Sequence, residues 1–145
     1  MKGNQDATDF RGMHQLHEVR ESGCLFCTLS AERPIVREAE LAYVIRDRFP
    51  VTAGHLLIIP KRHEPSWFEL SQGELAQCNL LLKQMQERIL DEDREVRGFN
   101  VGVNAGAAAG QTIMHSHIHL IPRRASDVIN PRGGVRGVIP GMQSY

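Results

Sequence analysis

The sequence predicts an α+β fold, an antiparallel sheet carrying one long helix and a short N-terminal helix. Three observations lead there. Residues 41–45 (LAYVI) and 55–60 (HLLIIP) are short, rich in apolar and β-branched side chains, and separated by Pro50 and Gly54, the pattern of two strands joined by a turn. A single long helical period follows them. Two more strand-like runs, 99–104 and 111–122, are then joined by a glycine–alanine loop.

The elements follow in chain order. Residues 1–20 are polar and begin with small, flexible types, but Met13, Leu16 and Val19 keep helical spacing; a loose segment leading into the short helix is expected. Ser71 with Glu74 three residues on is a capping-box signal, and Leu75, Cys78, Leu81, Leu82, Met85 and Ile89 then recur on one helical face. The helix is expected to end near Gly98. Strands connected by short loops around one long helix favour an antiparallel sheet over a parallel, doubly wound one. Beyond Pro122 glycines, prolines and arginines recur without periodicity. The organisation expected is a flexible segment 1–20, a folded domain 21–124 and an irregular tail 125–145.

The 145 residues hold no internal repeat and are enough for one domain with a proper core. Seventeen basic and 17 acidic side chains cancel. The densest basic spots, Lys61-Arg62 and Arg123-Arg124, are too short for the stripe that binds a polymeric nucleic acid, so DNA and RNA are not expected partners. No apolar run reaches membrane-span length, and the N-terminus lacks a signal-peptide core. A cytoplasmic protein away from membranes is expected, in a compartment where thiols stay reduced and cysteine pairs tend to bind metal.

The run from Gln111 to Pro122 alternates three histidines. In an extended strand His115, His117 and His119 share one face, and Met114, Ser116, Ile118 and Leu120 take the other as packing. Near neutral pH such a row offers a nucleophilic nitrogen, a proton donor and a metal ligand. A His-rich metal tract is the plainer alternative. The small-residue loop 104–110 directly upstream favours chemistry: Gly110 lets the backbone approach a ligand, and successive amides through Gln111 and Thr112 can form an anion-binding concavity. The Gln111 amide and Thr112 hydroxyl would add side-chain donors.

HSHIHLI resembles the histidine-triad (HIT) signature, His-x-His-x-His followed by two apolar residues, with Ser116 departing from the usual apolar spacer. GFNVGVNAGAAAGQTIMHSHIHLIPR and VIRDRFPVTAGHLLIIPKRH are similar to the nucleotide-hydrolase branch of that family, and the likeness runs from about Cys24 to the C-terminus. The resemblance implies a HIT-like meander sheet with a long helix, usually in a homodimer, and hydrolysis or transfer at the α-phosphate of dinucleoside polyphosphates or related nucleotides. It implies His117 as the nucleophile that becomes nucleotidylated, with His119 and His55 as its catalytic supports. It also implies a substrate contact set of Asp47, Asn104, Gly110, Gln111, Thr112, Ile113 and His119. For Asp47, within Arg46-Asp47-Arg48, surface ion pairing is the alternative. Arg132 and Arg136 would either meet phosphate or stay solvated.

Cys24-Leu25-Phe26-Cys27 is a CxxC pair, which needs two further ligands to close a tetrahedral zinc site. In zinc-bearing relatives the match falls on His63 and His115, so the resemblance implies structural Zn2+ on Cys24, Cys27, His63 and His115. A thioredoxin-like redox pair would want a strand before it and a helix at its first cysteine, and neither is evident; reduced core cysteines are a third reading. Cys78 belongs to the apolar helix face. Within the family, nucleoside phosphoramidase or phosphorylase chemistry stays open. Outside it stand a nucleotide-binding regulatory module with little turnover and a metallohydrolase using His117, His119 and Asp127.

Overall fold

The structure, a computed structural model, describes residues 19–145, and the expected N-terminal helix lies outside them. Five strands form one open sheet: β1 (Arg37–Glu38), β2 (Ala42–Arg46), β3 (Leu56–Pro60), β4 (Val96–Gly102) and β5 (Ile118–Arg124). The one long helix among the described residues, α1 (Gln72–Glu92), lies between β3 and β4 in sequence. Every neighbouring pair is antiparallel and the order is β1-β2-β3-β5-β4. This is the α+β architecture that the sequence predicts, with one refinement. The meander runs only through β1, β2 and β3; α1 then carries the chain past the next position, and β5 returns to fill it. The histidine-bearing strand therefore sits inside the sheet, flanked by β3 and β4.

Strand alternation gives the sheet two apolar faces. Ala42, Val44, Leu56, Ile58, Ile118 and Leu120 pack against Cys78, Leu81 and Met85 of α1. Tyr43, Ile45, Leu57 and Ile59 point the other way, onto Phe26 of the CxxC segment, with Ile113 beside them. Leu57 is in register with His119, which puts that imidazole on the face away from the helix.

The helix begins as its sequence indicates. Ser71 Oγ accepts from the Glu74 amide at 3.1 Å and Glu74 Oε1 accepts from the Ser71 amide at 2.9 Å. Glu74 does more than cap, because its buried carboxylate also accepts from Arg62 Nη2 at 3.0 Å and Nε at 3.2 Å. Burial opposes its ionisation, but Arg62 and the cap hydrogen bonds outweigh that and hold its pKa below the usual carboxylate value. Arg62 also donates to the Glu69 carbonyl, tying the end of β3 to the start of α1.

The helix stops at Glu92, short of Gly98. Asp93 Oδ1 accepts from the Glu95 amide at 2.9 Å, a local bond that turns the chain out of the helix. The tail carries a short 3-10 turn, Gly134–Val138, within its irregular course. Arg132 and Arg136 are exposed, as the solvated alternative expects, and both lie over the Tyr145 ring, at 4.6 and 4.9 Å. Among the described residues no helix is long and apolar enough to cross a membrane.

Glu74→Ala leaves the Arg62 guanidinium without its buried partner and is expected to cost about 3–5 kcal/mol, whereas Ser71→Ala loses only a cap, about 1 kcal/mol. Urea denaturation of the two variants measures the difference. Equal losses would mean that the cap alone explains Glu74.

Candidate active site and metal centre

β5 supplies the site, but its regular pairing begins only at Ile118. Upstream, the Ser116 amide donates to the Glu64 carbonyl at 2.7 Å, so the chain leaves the register that would continue along β3. Period-two alternation therefore does not hold through the histidine run. Met114, expected to pack, is exposed, and Ser116 is buried with no hydrogen-bond partner for its hydroxyl among the described residues. That lost hydroxyl bond costs about 1–3 kcal/mol. The three imidazoles consequently divide between two clusters.

His115 is fully buried. Its Nε2 donates to the Pro60 carbonyl at 2.7 Å, which leaves the Nδ1 lone pair facing Cys24 Sγ at 3.4 Å and Cys27 Sγ at 3.5 Å. His63 repeats the arrangement, with Nε2 on Glu21 at 2.6 Å and Nδ1 at 3.3 Å from Cys27 Sγ. The four donor atoms all lie within 4.8 Å of one another. A tetrahedral zinc with its usual bonds to sulfur and nitrogen separates those ligand atoms by about 3.5 Å, so this donor set fits the ion. Both imidazoles have their second nitrogen held by an oxygen, the arrangement that orients histidine ligands. Burial lowers the His115 pKa to about 4, keeping the ring in its neutral, ligating form at physiological pH. Burial likewise pushes the Cys27 thiol up, a cost that a bound cation would offset.

The second cluster holds His117, His119, His55 and Asp47. The ring centroids of His117 and His119 are 5.2 Å apart, and the Phe26 edge stands 5.1 Å from His117. His117 Nδ1 donates to the carbonyl of His115 at 2.8 Å, so the neutral ring carries its lone pair on Nε2. The Val51 amide donates to His55 Nδ1 at 3.1 Å, so the His55 proton sits on Nε2, 2.9 Å from His119 Nδ1 and 3.4 Å from Asp47 Oδ2. His119 accepts at Nδ1 and keeps its own proton on Nε2. Burial lowers the pKa of His55 and His119, reinforced at His119 by the neighbouring imidazoles and opposed at both by Asp47. One lone pair and one N–H on adjacent rings make a nucleophile and a donor.

The loop before the triad is held by its own hydrogen bonds. Gly110 takes φ +88°, the left-handed region that favours glycine, so the glycine serves the turn. The Gly110 amide donates to the Ala107 carbonyl at 3.0 Å and the Gln111 amide to the Gly106 carbonyl at 3.2 Å. The Gln111 side chain accepts from the Gly106 amide and donates to the carbonyls of Pro65 and Ile113. Both Gln111 side-chain N–H groups are thus spent on shaping the loop, not left for a ligand. Thr112 is exposed, Ile113 packs beside Phe26, and half-buried Asn104 follows two residues after Gly102, the register partner of His119.

Asp47 does not form the surface ion pairs considered for it. Its Oδ1 accepts from the Phe49 amide at 2.7 Å and its Oδ2 faces the histidines. Three contributors carried no sequence signal: Glu21 behind His63, the Pro60 carbonyl behind His115, and Phe26, whose ring touches both His115 and His117.

A buried antiparallel sheet presenting a histidine triad beside a Cys2His2 cluster defines a class, and comparison with known proteins agrees. The chain belongs to the HIT family, whose HIT domain model matches residues 29–126. It is 36% identical over 112 residues to the adenylylsulfatase HINT3 of Arabidopsis thaliana, covering 75% of this chain and 56% of that protein. It is 32% identical over 111 residues to the AP-4-A phosphorylase of Mycobacterium tuberculosis, covering 74% and 56%. Among solved structures, a zinc-bound histidine triad family protein from Mycobacterium smegmatis superposes with a TM-score of 0.66 at 31% identity, covering 74% of this chain and 80% of that one. Relatives of this family carry nucleotide hydrolase and phosphorylase names.

The buried imidazoles set a pH dependence of stability. His55, His115 and His119 all have folded pKa values below the unfolded value near 6.5, so below about pH 6.5 the unfolded chain binds more protons than the folded one. Metal-free protein is expected to keep full stability above that pH and to lose it progressively toward pH 4. Chemical denaturation at stepped pH checks the sign; stability that rises on acidification would contradict the burial of these rings.

Proposed function

We propose that this protein is a nucleotidyl hydrolase acting at the α-phosphate of dinucleoside polyphosphates or related nucleotides, through a covalent intermediate on His117. The observation that carries the reading is the pair of opposed tautomers, an Nε2 lone pair on His117 beside an Nε2–H on His119. In the first step His117 Nε2 bonds to the α-phosphorus while the bond to the leaving phosphate oxygen breaks. His119 donates a hydrogen bond to the oxygen that gains charge, and His55 holds the His119 ring in that tautomer. In the second step water attacks phosphorus, its proton passes to the site, and the phosphorus–nitrogen bond breaks to release a nucleoside monophosphate. Asp47, Asn104, Thr112 and Ile113 line the substrate side in this reading, with Asp47 toward the ribose; Gln111 shapes the loop that brings Thr112 and Ile113 there.

Cys24, Cys27, His63 and His115 would hold a structural zinc ion, whose chemistry there is to tie the segment before β1 to the end of β3. The free thiols of Cys24 and Cys27 and their donor geometry support it, as does the likeness to a zinc-bound relative, and they suit a cytoplasmic setting. A homodimer is proposed as the assembly, supported by β4, which leaves one sheet edge open. Phosphorolysis, with phosphate replacing water in the second step, is the second reading, favoured by the likeness to the AP-4-A phosphorylase.

Two variants separate the roles. His117→Ala is expected to reduce turnover at least 10³-fold, the scale of losing a nucleophile, with zinc content and melting temperature retained, whereas Cys24→Ala loses metal and stability first. Incubation with α-32P-labelled diadenosine tetraphosphate followed by a quench in base should leave acid-labile label on His117. Full turnover by His117→Ala, or zinc lost with His117 and kept without Cys24, would overturn the assignment.

A further inference from the structure

Beside the catalytic cluster, on the other side of Asp47, lies a pocket lined by Arg33, Arg46 and Arg48 together with Ser30, Glu32 and Asp47. Four other guanidiniums are paired with carboxylates: Arg62 with Glu74, Arg88 with Glu92, Arg123 with Asp127 and Arg124 with Asp93. The three that line this pocket form no hydrogen bond or ion pair among the described residues. Arg33 is the most telling, since its Nη1 is buried and finds no acceptor among the described residues. A buried guanidinium N–H without an acceptor is costly, and a planar donor fork is suited to phosphate oxygens. Asp47 does not satisfy it, because Oδ1 is held by the Phe49 amide and Oδ2 faces His55 and His119.

The pocket is joined to the reacting centre by two short routes. Asp47 Oδ2 stands 3.9 Å from His119 Nδ1, and Arg33 lies 6.0 Å from the centroid of Phe26, whose edge contacts His117. We propose that this arginine pocket binds a phosphate monoester carried on a ribose hydroxyl of the nucleotide, so that the substrate class extends to nucleotides phosphorylated at the 2′ or 3′ position. The inference rests on the nucleotide reading above: a nucleotide with its α-phosphate at His117 and its ribose at Asp47 turns the sugar hydroxyls toward the three arginines.

Calorimetric titration of the metal-loaded protein with adenosine 5′-monophosphate, adenosine 3′,5′-bisphosphate, adenosine 2′,5′-bisphosphate and inorganic phosphate tests it. At least one bisphosphate is expected to bind ten-fold or more tightly than the monophosphate, with that ratio falling toward one in Arg33→Ala and in Arg48→Ala. Arg48 lies on the surface, so its variant keeps the test open should Arg33→Ala fail to fold. Bisphosphates no tighter than the monophosphate, or a ratio unchanged in the variants, would overturn the subsite while leaving the nucleotide reading intact. Inorganic phosphate that binds as tightly as the bisphosphate would overturn it in favour of a free-anion site. Failure of the monophosphate itself to bind would instead strike at the nucleotide reading.

Discussion

His115 has no exposed surface, and three of its polar groups meet different parts of the chain. Nε2 is spent on the carbonyl that ends β3, Nδ1 faces the thiols of the CxxC segment, and the main-chain carbonyl accepts from His117. Fixing that one ring fixes three things together: the tautomer that aims a lone pair at the metal cluster, the tautomer of the next histidine, and the path of the chain entering β5. Its burial is affordable because all these groups are partnered and the ring stays neutral.

The sheet order explains why this junction exists at all. Because β5 is inserted between β3 and β4, the residues before it must pass the end of β3, where Pro60, Lys61, Arg62 and His63 turn toward α1. Arg62 is anchored to the helix cap by Glu74, and the adjacent His63 is thereby held where the CxxC segment can meet it. Helix capping, sheet register and the Cys2His2 cluster are therefore coupled through four consecutive residues. Within the sheet, Leu57 of β3 and Gly102 of β4 flank His119 on its two sides, and His55, just before β3, reaches it directly.

Much of this was legible in the residues. The capping box at Ser71 and Glu74 sets where the helix starts because both partners lie within one turn, and β-branched runs bounded by Pro50 and Gly54 mark β2 and β3. The helix end was not legible: the apolar face finishes at Ile89, and the side-chain bond of Asp93, not Gly98, marks where the chain leaves the helix. The histidine spacing drew attention to the right segment but misplaced its conformation, since the pull of Glu64 on the Ser116 amide is a tertiary contact that no local pattern encodes. The same is true of Gln111, whose amide reads as a free donor and is consumed by Pro65 and Ile113. Dispersed contributors such as Glu21 and Phe26 became visible only once the sheet had brought remote segments together.

The account depends most on the protonation pattern of adjacent rings. Two-bond 15N–1H correlation spectra of the imidazoles, recorded near neutral pH on zinc-loaded protein, read it directly. The pattern predicted is Nδ1–H with a free Nε2 on His117, Nε2–H on His119 and His55, and metal-shifted Nδ1 resonances confined to His63 and His115. A proton on His117 Nε2, or a metal shift on that ring, would contradict it.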